Sequence, residues 1–206
     1  MTIRSAVLSS VVCLLLGLSA AGCGSGGNNG ATGSGGTGGG GSTGSTPLTA
    51  AQFGAKYKFS ATDLAGWAPA DPATDPTAYD VYNGGDELVA RLDGGDMYTP
   101  NGCRVSMYED MTGSGQEICT AIAMDFVTAA NAAQMFAVQQ GNGASISIPG
   151  YDPSVALASS FALGGQNTYA HINASYFELQ FSGFADATSA GAAAKLFLDV
   201  FKAKTN

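Results

Sequence analysis

The sequence predicts a single α+β domain, an antiparallel sheet with helices packed mainly on one face. Three observations carry that expectation. Two stretches alternate apolar and polar residues about short turns, which is the pattern of β-hairpins. Each is followed by an alanine-rich stretch with helical spacing and a residue suited to cap it. Both hairpin–helix stretches lie C-terminal to residue 48, in a length normal for one domain.

Residues 1–4, "MTIR", supply one positive charge, and "AVLSSVVCLLLGL" gives an apolar run to Leu18. Ser19, Ala20, Ala21 and Gly22 follow. Charged, apolar, then small is the order of a secretory signal peptide. The run falls short of the roughly 20 apolar residues of a membrane span. Residues 1–22 therefore read as a signal peptide, 23–47 as a tether and 48–206 as the domain.

"SAAGC" (Ser19–Cys23) resembles the lipobox of bacterial lipoproteins, although Ala20 stands where leucine is favoured. The resemblance implies that Cys23 is acylated with palmitate-type chains and becomes the first residue after cleavage. The bland alternative is ordinary signal cleavage that leaves a free thiol. Two or more acyl chains anchor stably, where one binds marginally. Gly24 stands where, by the family's habit, aspartate would retain the protein at the inner membrane. The implied location is a cell envelope, at the outer membrane in a diderm host. Residues 24–46 are almost wholly Gly, Ser, Thr, Asn and Ala, with nothing to bury. A flexible coil of that length reaches roughly 25–30 Å.

In the domain, "FGAKYKFSATDLAGWAPADPATDP" is broken by Pro69, Pro72 and Pro76, and Trp67 is expected at the domain edge. "TAYDVYNGGDELVARL" places Tyr79, Tyr82, Leu88, Val89 and Leu92 at helical spacing, so a helix is expected there. Gly84 and Gly85 in its middle suggest a close backbone approach, or Asn83 caps a new helix. "CRVSMYED" puts Val105 and Met107 on one face and Arg104, Ser106 and Tyr108 on the other. "EICTAIAMDF" puts Ile118, Ile122, Met124 and Phe126 on one face, completing a hairpin. Thr128 caps a helix with Ala129, Ala132, Ala133, Phe136 and Ala137 as its inner stripe. "GASISIPG" and "SVALASSFAL" are further strand candidates.

"NTYAHIN" and "SYFELQFSG" form a second hairpin about Asn173–Ser175. Asp186 caps a last helix with Ala190, Ala194, Phe197, Leu198 and Phe201 inward, and Lys202 and Lys204 suit its C-terminal dipole. The repeated order reads as a hairpin–helix pseudo-repeat, though alanine-rich composition alone could imitate one. Small residues let both helices lie close on one sheet face.

Together, the segments from Trp67 to Phe201 resemble a family of uncharacterised bacterial secreted proteins. Its hallmark is a helix written roughly Leu-Tyr-x-Tyr-Ile-Asn-Gly-Gly-Ala-Glu-Leu. Tyr79, Tyr82, Asn83, Gly84, Gly85, Glu87 and Leu88 match, while Asp86 stands in place of alanine. The resemblance implies an α+β fold and no established activity.

The net charge of −8 disfavours nucleic acid as a partner. His171 is the one histidine, so a zinc site is not expected and no cofactor is implied. No G-x-S-x-G segment in the domain presents a nucleophile. Cys103 and Cys119 fall in the two arms of the first hairpin, and in an exported protein they are expected to form a disulfide. Such a bridge would close a loop of about 16 residues and contribute about 3 kcal/mol. Asp86, Glu87, Asp93 and Asp96 read as a solvated acidic edge rather than a cation site. The expectation is a membrane-anchored envelope lipoprotein whose domain binds or scaffolds an envelope protein or small ligand without catalysis. The alternative is an envelope hydrolase using Asp, Ser and His171. Convergence of His171, Glu178 and the acids near Asn83 in one cleft would favour it.

Overall fold

The computed structural model describes residues 47–71, 73–85 and 97–206. They belong to a compact unit, Ser45–Asn206. Along the chain come α1 (Ala50–Tyr57), β1 (Trp67–Pro69), β2 (Tyr79–Asn83), β3 (Cys103–Gly113), β4 (Ile118–Phe126) and α2 (Ala129–Gly141). Then follow β5 (Ile146–Ser147), β6 (Ala156–Ala158), β7 (Gln166–Ile172), β8 (Ser175–Ser182) and α3 (Ala187–Thr205). The strands form one antiparallel sheet in the order β1-β3-β4-β8-β7-β6-β5, with β2 also paired to β3. This is the expected α+β domain.

Both hairpins form where the alternation placed them, because each strand has apolar residues on both faces to bury. On β4, Cys119, Ala121 and Ala123 pack with Phe53 and Tyr57 of α1 and with Phe197 and Phe201 of α3. Ile122, Met124 and Phe126, at the alternate positions, pack with Ala132, Met135 and Phe136 of α2. So α1 and α3 cover one face and α2 covers the other.

The expectation that the two alanine-rich helices share a face is thereby corrected. β4 and β8 lie side by side and antiparallel. A rotation exchanging the two hairpins therefore runs along the sheet normal, and it would keep both helices on one face. With α2 and α3 on opposite faces, the hairpin–helix units share an order of elements and no such two-fold. The caps are those expected: Thr128 accepts from the Asn131 N–H and Asp186 from the Ser189 N–H. The inner stripe of α2 is Ala132, Met135 and Phe136; Ala129 and Ala137 face solvent.

Three further readings change. Residues 79–83 form a strand, not a helix, because Tyr79, Val81 and Tyr82 pair along the open edge of β3. The rest of the expected helix, with Leu88, Val89 and Leu92, lies outside the described residues. A close approach does occur at the glycine pair, but it is made by the Tyr98 side chain and not by another backbone. Gly84 has φ +84°, and a Cβ on Gly85 would stand 2.3 Å from the Tyr98 Cβ. Helix α1 was hidden in what read as a broken segment; its signal is the capping box of Thr49 and Gln52.

The expected disulfide between Cys103 and Cys119 does not form. Cys103 opposes Phe126, and Cys119 opposes Met111 at the far end of the same hairpin. At about 3.4 Å per residue they are roughly 25 Å apart, against the ~7 Å limit between Cα atoms of a bridge. They also point to opposite faces, Cys119 toward α3 and Cys103 toward α2.

Candidate functional site

The candidate site is a groove at the end of the sheet marked by the β3–β4 turn. The turn "GSGQE" folds Glu117 back on itself: the Gly113 N–H donates to the Glu117 carbonyl (2.8 Å) and the Gly115 N–H to its Oε2 (2.9 Å). A Cβ on Gly113 or Gly115 would stand 2.8 or 2.7 Å from that oxygen. The two glycines therefore clear the space that the carboxylate fills. β1 pairs Trp67 with Gly113 and so sets the indole beside this turn. The Trp67 ring meets Phe197 edge-on at 5.0 Å and lies near-parallel to Phe184 at 6.2 Å. Trp67 thus lies at the domain edge, where it was expected.

The first turn of α3 closes the other wall. The groove of about 300 Å³ is lined by Trp67, Phe184, Leu196, Glu117, Ser114 and Ser189, among others, and a second lobe of about 450 Å³ shares Trp67. The Asp186 carboxylate accepts the Ser189 N–H (2.8 Å), so the positive end of the helix is already answered by a charge. The Phe184 N–H donates to the Gly164 carbonyl (2.9 Å), which joins the groove to the turn Ala162–Gly165. Leu163 (φ +52°) and Gly164 (φ +78°) both take the left-handed conformation of a type I′ turn. The Leu163 side chain is fully exposed.

Two buried carboxyl groups lie elsewhere. On the α2 face, Tyr108, Ile122, Glu178 and Tyr169 stand in one cross-strand row. Glu178 Oε1 accepts from Gln180 Nε2 (3.0 Å). Burial raises the Glu178 pKa, with Gln180 opposing. Burial, then the Glu178 charge, pushes the Tyr169 phenol up to about 12.

On the opposite face Glu109, 1% exposed, accepts the Phe59 N–H through Oε2 (2.7 Å). Burial lifts its pKa to about 7 against the backbone hydrogen bond and the charges of Lys58 and Lys204. Neither carboxyl was singled out as a buried group from sequence. The signal was parity: Glu109 continues the inward positions Val105 and Met107.

His171 shares a face with Glu178, since it opposes Tyr176 while Tyr169 opposes Glu178. Its Nε2–H donates to the Ser154 carbonyl (2.9 Å), and its ring packs on Phe136 at 5.1 Å. The imidazole and the carboxyl are thus each held by other partners. Asp86, Glu87, Asp93 and Asp96 lie outside the described residues, as does Cys23. Among the described residues no group of His, Cys, Asp and Glu could hold a metal ion, and no helix is long and apolar enough to cross a membrane.

No family model matches the chain, and no curated protein is significantly similar to it. Among solved structures it is similar to the extracellular domain of PknH from Mycobacterium tuberculosis, at 16% identity and a TM-score of 0.39, over 75% of this chain and 92% of that one.

Proposed function

We propose that this chain is an exported lipoprotein, acylated on Cys23, that displays residues 48–206 in the cell envelope as a binding module. The observation that carries the anchor is the run Ser19–Cys23, an apolar leader before it and residues 24–46 after it. A cysteine between an apolar run and chain with nothing to bury has no packing role, whereas its thiolate is the nucleophile that acylation uses. Gly24 favours the outer membrane in a diderm host. A binding role is supported over the hydrolase reading by His171, whose Nε2–H is committed to the Ser154 carbonyl.

The test is Cys23→Ala expressed in an envelope-bearing bacterium. Wild type should sediment with membranes and take up a clickable palmitate analogue. The variant should be unlabelled and appear in the soluble fraction. An unlabelled wild type that is already soluble would overturn the anchor.

A further inference from the structure

We infer that the Trp67 groove docks a segment of a partner protein that presents a lysine or arginine side chain beside an apolar one. The inference rests on the binding-module reading and not on the anchor.

Chemistry selects the partner. The walls are apolar where Trp67, Phe184 and Leu196 meet, and they carry one carboxylate, Glu117, with no base among the lining residues. Asp186, two residues past Phe184 at the cap of α3, is negative as well. The described bases have partners of their own: Lys56 lies over the Tyr57 ring, Lys58 over Tyr79 and Lys202 over Tyr151, while Lys204 pairs with Asp63, Arg104 with Asp125 and Lys195 with Asp199. A cation therefore meets an unopposed carboxylate beside an indole, the ring most favourable for cation–π contact. An anionic lipid surface or a nucleic acid would meet two negative groups and be repelled.

Leu163 supplies the second observation. A left-handed leucine is strained, because its Cβ crowds the following carbonyl oxygen. Asparagine or glycine would serve a type I′ turn without that strain. The side chain recovers nothing within the domain, because it is fully exposed. It stands next to Gly164, whose carbonyl holds the backbone of Phe184 in the groove wall. An apolar anchor beside an acidic, aromatic groove is the surface that a basic-apolar segment fits.

Trp67 is the one tryptophan of the chain, so its emission reads the groove directly. The experiment uses the full chain carrying Cys23→Ser, which is blind to lipid attachment, so failure here is distinct from failure of the anchor. The probes are the acetylated, amidated peptides Gly-Leu-Lys-Leu-Gly, Gly-Leu-Arg-Leu-Gly and Gly-Leu-Glu-Leu-Gly. A saturable change in Trp67 emission is expected with the two basic peptides, at least tenfold tighter than with the acidic one. Glu117→Gln should weaken the basic peptides at least threefold. Leu163→Ser, on a separate turn, should also weaken them while leaving the far-ultraviolet circular dichroism unchanged. Equal affinity for basic and acidic peptides would overturn the proposal. So would no saturable change with any peptide, indifference to both substitutions, or a response to phosphatidylglycerol vesicles instead.

Discussion

The two faces of one sheet are built from different materials. Toward α1 and α3 the sheet meets rings: Phe177 stacks on Phe201 at 4.4 Å, and Phe59, Phe181 and Phe197 interlock with them. Toward α2 it meets mainly tyrosines, Tyr98, Tyr108, Tyr169 and Tyr176, while each face buries methionines and one glutamate. The difference follows from what covers each face. α3, with 19 residues, lays Phe197, Leu198 and Phe201 along the strands, and α1 adds Phe53 and Tyr57. α2, with 13 residues, contributes three buried side chains, two of them large. Each fully buried large apolar side chain stabilises by about 1.5–3 kcal/mol. The ring-lined face is therefore expected to contribute the larger share of the domain's stability.

The first way to break this comparison is Phe201→Ala, which should cost about 3–5 kcal/mol in urea unfolding. Phe136→Ala, against the half-buried His171, should fall at or below the lower end of that range. Equal losses would erase the distinction between the faces.

Next comes Glu109. Its pKa is raised from 4.5 to about 7 in the folded chain, so the native state holds the proton more tightly than the unfolded one. The stability it contributes is complete below about 4.5 and is lost as pH rises through about 7, a change of about 3 kcal/mol. Glu109→Gln should remove that share of the slope between pH 4.5 and 7. Glu178, also raised, works in the same direction from the other face. A wild-type profile rising over this interval would contradict both burials.

Gly85→Ala should cost about 1–3 kcal/mol by overpacking against Tyr98. Gly191→Ala, with nothing within 4 Å of the new methyl, should stabilise α3 by about 0.5–1 kcal/mol. The smallest expected effect is none. In denaturant, Cys119 should alkylate to the same extent with and without prior reduction, since the structure leaves its thiol unbridged on the ring-lined face.

Much of the fold was legible because its signals are local. Alternation in Cys103–Asp110 and Ser175–Ser182 marked strands, and Thr128 and Asp186 marked helix starts. The miss at Tyr79–Asn83 has a physical cause. Its aromatic and β-branched residues fit a helical spacing equally well, and only the unpaired edge of β3 decides for a strand. Of the groove, Trp67 was legible as an edge residue, while Glu117, Phe184 and Leu163 were not. Nothing in their neighbours announces that a glycine turn, a strand exit and a hairpin tip meet at one end of the sheet.

By itself the sequence determined the two hairpins, the capped helix that follows each, and which side chains of each strand point the same way. Those properties depend on hydrogen bonds and periodicities within a few residues. The tertiary structure alone decided which face each helix covers, that Cys103 and Cys119 lie on opposite sides of the sheet, and that Trp67 borders a groove. These depend on contacts between residues far apart in the chain, where side-chain volume and strand pairing outweigh any local preference.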